Sequence, residues 1–190
     1  MARLPYPDLS NASDELKGLM AAAPPLNIFR MLPHAAPLMR GFLQFGSAVL
    51  TKAVLDARLR ELAILRVAER SGARYEWQQH VPIALSVGAT QEEITTLERG
   101  DREAACFGER ERALLVFTDE LVAGARATDA ALAEMRAHFS DAEVCEAILS
   151  VGFYMMVARF LETTGVELET ENEGASTAVL DRARRPRRES

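Results

Sequence analysis

The sequence predicts an all-α protein. Three observations carry that expectation. Helix caps punctuate the chain from residue 37 onward, apolar residues recur three or four apart between them, and no segment alternates apolar and polar residues between turn signals as a half-buried strand would.

The elements follow in order. The first ~36 residues read as a proline-rich arm, interrupted at Pro5, Pro7, Pro24, Pro25 and Pro33, with room for one short helix from about Asp14 to Ala23. Leu4, Tyr6, Leu26, Ile28 and Phe29 make the arm too apolar for a free tail, so it is expected to pack on the body or on a neighbouring subunit. Pro37 suits the first turn of a helix that carries Met39, Phe42, Leu43 and Phe45. Asp56 caps a helix bearing Leu59, Leu62, Ala63 and Val67 that stops near Gly72. A helix from about Tyr75 to Val87 stops at Gly88. Thr90 and Glu93 form a capping box that opens a short helix ending at Gly100. Another helix runs from about Glu109 to Ala123, and Thr128 caps the next. Ser140 and Glu143 form a second capping box before a long apolar helix through Ile148, Phe153, Met156 and Phe160. The domain expectation is an arm over 1–36, a helical domain over 37–166 and a charged tail over 167–190. The tail holds Glu167, Glu169, Glu171 and Glu173, then Arg182, Arg184, Arg185, Arg187 and Arg188.

Composition narrows the function classes. At 190 residues, 48% hydrophobic and 26% charged, the chain can bury a core without disulfides or a structural metal. A net charge of −6 argues against a nucleic-acid surface, even with the basic tail. No apolar run is read as reaching the ~18 residues of a membrane span, and no secretory signal opens the chain. Two distant cysteines, Cys106 and Cys145, fit a reducing compartment, so a cytoplasmic location is expected. Both cysteines read as small core or near-core residues. His34 and His138 have no partner pattern.

The chemistry is concentrated between Arg58 and Gly88. Glu76 and His80 lie four apart, which puts both on one helix face. A carboxylate orients an imidazole and favours its charged form, and such a pair moves protons near neutral pH. Glu61 shares a helical face with Leu65 and Ala68 and so points inward, where His80 is a candidate partner. The spacing alone also fits a solvated surface pair. Trp77 reads as packing or as a substrate platform, and Tyr75 as a core or interface residue or an acid; both stand among the expected substrate-binding residues. Arg58, Arg60, Arg66, Arg70 and Arg74 read as solvated charges, with one of them available to clamp a carboxylate. The single i, i+4 Glu–His pair does not match a di-iron bundle, so no metal is expected. Phosphate-binding glycine loops and a G-x-S-x-G nucleophile motif are absent.

The run R-E-L-A-I-L-R-V-A, followed by Y-E-W-Q-Q-H and A-L-S-V-G-A-T-Q-E-E-I, resembles the carboxymuconolactone decarboxylase family, which shares the alkylhydroperoxidase D fold. The resemblance is close from about Leu50 to Ala123. It implies an all-α subunit that assembles as a trimer, or as a hexamer of two trimers. In the family's redox branch a C-x-x-C precedes a histidine, with a glutamate upstream. The glutamate maps to Glu61, the histidine to His80, and the two cysteines to Ala73 and Glu76; Tyr75 takes the position before the second cysteine. Without sulfur at 73 or 76, thiol peroxidase chemistry has no nucleophile at this site.

The branch without redox cysteines is the closer likeness. It implies a cofactor-independent decarboxylase or lyase acting on a small carboxylated lactone or related enolisable acid. In that scheme His80 donates the proton, Glu76 orients the ring, Glu61 holds or recharges it, and Arg66 or Arg74 binds the substrate carboxylate. Two alternatives stand beside it: a non-catalytic oligomer with a structural Glu–His network, and a thiol- or peroxide-related antioxidant protein using Cys106 or Cys145.

Overall fold

The computed structural model describes residues 2–169. Residues 170–190, with Glu171, Glu173 and the five tail arginines, lie outside the described residues. Among those described, the secondary structure is helical and no strand forms. The chain divides into two compact units: residues 1–52 together with 161–190, and residues 53–160.

The first unit holds α1 (Asp14–Ala22), α2 (Asn27–Met31), a 3-10 turn (Leu32–Ala35) and α3 (Ala36–Lys52). Ser13 caps α1 by accepting from the Leu16 amide. The expected arm is more helical than its prolines suggested. Pro33 sits in the first turn of the 3-10 segment, where a missing N–H leaves no bond unmade. The arm is tied down within this unit. The amides of Arg3 and Leu4 donate to the Thr164 carbonyl at 2.8 and 3.2 Å. Asn27 receives the start of the acidic segment: its amide donates to Glu169 Oε1 at 2.7 Å and its Nδ2 to the Glu167 carbonyl at 3.0 Å.

The second unit is built around α4 (Ala57–Ser71), which packs against α5 (Arg74–Ser86), α6 (Gln91–Glu98) and α7 (Glu109–Ala123). α7 in turn packs against α8 (Asp129–His138), and α9 (Asp141–Thr164) follows, its residues from Leu161 onward belonging to the first unit. Asp56 Oδ1 accepts from the Leu59 amide at 3.1 Å to start α4. Gly72, at φ 64°, ends it in the left-handed conformation that glycine adopts without a Cβ clash. Every residue from Leu59 to Ala68 is buried, including Arg60, Glu61 and Arg66. A helix buried on all sides is the core of its unit. The Leu55 amide, donating to Glu146 Oε2 at 2.7 Å, anchors the approach to α4 onto α9. Both expected capping boxes form, at Thr90–Glu93 and at Ser140–Glu143.

Two expectations are corrected here. Cys145 is exposed on α9, because it lies on the side of that helix opposite the buried Val144, Ala147 and Val151. α9 is also long and apolar enough to cross a bilayer by length and composition, with mean hydropathy 1.6 over an 18-residue window. Half of that window is buried inside the protein, as in a core helix.

Candidate active site

The inward side of α4 delivers Glu61, and α5 delivers Glu76 and His80. All three are buried, at 0%, 2% and 7% exposure. Glu61 Oε2 lies 2.7 Å from His80 Nδ1. A carboxylate can only accept, so Nδ1 carries the proton and its donation fixes the ring orientation. Among the described residues no hydrogen bond is made by Nε2. The sequence assigns the ring-orienting role to Glu76; the bond to Nδ1 is made by Glu61. The i, i+4 spacing placed Glu76 and His80 on one face of α5, but the bond to Nδ1 comes across from α4.

Two further residues join the cluster: Tyr154, which sequence reasoning missed, and Arg60, which it named only among five arginines read as solvated charges or a carboxylate clamp. Tyr154, from α9, meets the His80 ring edge-on, with centroids 4.7 Å apart and planes at 86°. Burial, then the charges of Glu61 and Glu76, push its hydroxyl well above the ordinary tyrosine range, while Arg60 pulls the other way. Tyr154 is therefore a neutral phenol at physiological pH. Its only sequence signal was a hydroxyl-bearing ring within an apolar helix. Arg60 is the second. Its side chain is 4% exposed, and its Nε lies 3.7 Å from Glu61 Oε1. The expectation of a solvated charge fails because α4 is covered on every side.

The other expected site residues sit elsewhere. Tyr75 is buried at 4% exposure. Trp77 is half-buried against Ala68, Ala73 and Ala158, a packing position. Arg74 is exposed at the start of α5. The fork of Arg66 is occupied: Nε and Nη2 donate to Asp119 at 2.6 and 2.8 Å, and Nη1 donates to Glu69 and to the Gly100 carbonyl. Arg102 also bonds Asp119. Burial pushes the Asp119 carboxyl up, but the Arg66 and Arg102 guanidiniums outweigh it and hold the group below its ordinary value. These residues line an open depression of about 480 Å³ that includes none of Glu61, Glu76 or His80. Among the described residues no group of three or more His, Cys, Asp or Glu is placed to hold a metal ion.

The sequence of residues 36–120 matches the carboxymuconolactone decarboxylase family. That segment is a little under half of the chain, and over it the sequence is similar to the family. The match spans α3 to α7 and so takes in Glu61, Glu76 and His80, while Tyr154 lies beyond it.

Solved structures share the fold across nearly the whole chain. The alkylhydroperoxidase AhpD core of an uncharacterized peroxidase-related protein from Ralstonia eutropha JMP134 is 20% identical, with a TM-score of 0.77 over 90% of this chain and 93% of that one. An uncharacterized peroxidase-related protein from Silicibacter sp. TM1040 is 18% identical, with a TM-score of 0.78 over 92% and 95%. A cysteine-to-alanine variant of the debrominase Bmp8, in complex with 2,3,4-tribromopyrrole, is 17% identical, with a TM-score of 0.67 over 96% of each chain. At these identities the likeness is one of fold. No curated protein matches the chain.

Proposed function

We propose that this chain is a member of the carboxymuconolactone decarboxylase family and a cofactor-independent acid–base enzyme, a carboxy-lyase acting on a small carboxylated lactone or related enolisable acid. The observation that carries the reading is the buried 2.7 Å bond from His80 Nδ1 to Glu61, which leaves Nε2 uncommitted. In the reaction the bond between the carboxyl carbon and the ring breaks, CO₂ departs, and the electron pair stays on the ring as a dienolate. The protonated ring of His80 keeps Nδ1–H on Glu61 and delivers Nε2–H to the substrate carbon. Solvent then restores the proton. Tyr154, neutral and edge-on to the imidazole, limits how that ring can turn.

The direct test is CO₂ release and ultraviolet loss with carboxymuconolactone, using wild type beside His80→Ala. Turnover by wild type alone supports the assignment. Equal rates in both, or none in wild type, count against it. A purely structural Glu–His network would instead show a lowered Tm in His80→Ala and no stabilisation of wild type by small acids.

The same proposal includes assembly as a homotrimer, or a hexamer of two trimers. Ile148, Leu149 and Met156 on α9 are exposed at 41%, 53% and 48%, and an apolar face of that kind suits subunit contact. Sedimentation equilibrium checks this, and a monomer mass would remove it. The unpaired Cys106 and Cys145 support a reducing, cytoplasmic setting.

A further inference from the structure

We infer that Arg60 is the anion-binding residue of this site, and that its guanidinium fork takes a carboxylate of the small acid on which His80 acts. The inference builds on the acid–base reading above and names the group that would hold the substrate.

Four arginines on α4 can be compared directly. Arg58 bonds Glu93 and Glu111 at 2.5 and 2.8 Å. Arg66 is forked onto Asp119, and Arg70 lies 3.6 Å from the same carboxylate. Arg60 differs. Its side chain is 4% exposed, yet among the described residues it makes no hydrogen bond, and its Nε is buried without a partner. Its only ion-pair contact there, Glu61 Oε1 at 3.7 Å, is beyond hydrogen-bond reach. That Glu61 oxygen also lacks a hydrogen-bond partner.

Burying the Arg60 Nε–H without an acceptor is costly, and the rest of the guanidinium offers further donors beside it. Native interiors leave few such groups unmet unless a ligand or ordered water completes them. Water takes single donors, whereas a planar oxyanion matches the fork in two parallel bonds. Arg60 Nε lies 3.7 Å from one oxygen of Glu61, whose other oxygen is 2.7 Å from His80 Nδ1, so a carboxylate held by Arg60 lies in the neighbourhood of the His80 ring. The carboxylates of Glu61 and Glu76 oppose a further negative charge. They keep the affinity modest, with Kd on the order of 1 mM.

The test is isothermal titration calorimetry on the full chain with two probes, cis,cis-muconate and its dimethyl ester. Arg60→Met and Arg60→Lys are run beside wild type, with folding checked by circular dichroism. Wild type should bind the acid and not the ester. Arg60→Met should weaken acid binding at least tenfold, and Arg60→Lys should retain part of it. Equal acid binding by wild type and Arg60→Met overturns the inference. So does binding of the ester as tightly as the acid, or no heat from muconate in wild type at concentrations on the order of 10 mM. If Arg60→Met changes the sedimentation mass while muconate binding persists, the guanidinium serves a second copy of the chain and the assignment falls.

The two readings fail separately. Muconate binding that depends on Arg60 in a protein that turns over no lactone leaves the anion site standing and removes the acid–base enzyme. Lactone turnover with unchanged KM in Arg60→Met does the reverse.

Discussion

Two ionic clusters hang from opposite parts of the same buried helix, and they are built differently. Around Arg66, every charge is met: Asp119 receives both arms of the fork and a bond from Arg102, while Glu69 and the Gly100 carbonyl take the remaining arm. Around Arg60 and Glu61, burial is as deep but satisfaction is incomplete. Arg60 has no hydrogen bond among the described residues, and one Glu61 oxygen has none. A satisfied buried network holds a fold in one arrangement, and removing one member strands its partner. An unsatisfied one stores binding capacity that a ligand can use. The same residue types on one helix therefore separate into a structural cluster and a chemical one, and partner count tells them apart.

The largest effect should come from breaking the chemical cluster at its bond. His80→Ala or Glu61→Gln should lower turnover by roughly 10²–10⁴-fold, the usual contribution of a positioned acid or base, with the far-ultraviolet spectrum unchanged. The arginines then separate the clusters by stability. Arg66→Ala leaves Asp119 buried with one partner fewer and should cost about 3–5 kcal/mol in urea unfolding. Arg60→Met removes a buried charge that, among the described residues, has a 3.7 Å contact with Glu61 but no hydrogen bond, and should leave stability within about 1 kcal/mol of wild type. Equal losses in the two variants would erase the distinction drawn here.

Acid sharpens the contrast on one side only. The Asp119 carboxyl is held below its ordinary value, so its contribution is present above the unfolded carboxylate pKa and is lost as pH falls through the depressed native one. Asp119→Asn should therefore lie below wild type in Tm at pH 7, and the gap should narrow as pH drops into the acid range. A gap that is constant with pH would mean that the arginines do not set the charge of Asp119. The smallest effect serves as a baseline. Gly72→Ala strains the left-handed end of α4 that both clusters share, and should cost about 1 kcal/mol without favouring either.

Much of this was legible along the chain. Helix limits followed from caps, because Asp56, Thr90, Thr128 and Ser140 satisfy amides within their own first turn. Glu61 was read as inward from its helical neighbours Leu65 and Ala68, and it is fully buried. The family pattern paired Glu61 with His80, and the two meet at 2.7 Å. The arginines were less legible, since nothing in a run of R-L-R-E distinguishes a buried guanidinium from a solvated one. The short helix after Pro25 was hidden for a related reason: proline discourages helix interiors but fits first turns, and only the fold shows which position it holds.

The sequence by itself determined the all-α class, the helix limits from 37 onward, the family likeness over 36–120 and the inward carboxylate. Those properties are local, or they recur with the helical period. The tertiary structure alone decided which carboxylate holds His80, that Tyr154 of α9 meets its ring, that Arg66 is committed to Asp119, and that Arg60 is buried with its Nε unbonded among the described residues. Each of these depends on groups from different helices meeting, over separations up to 74 residues from His80 to Tyr154, and spacing along one chain does not encode such meetings.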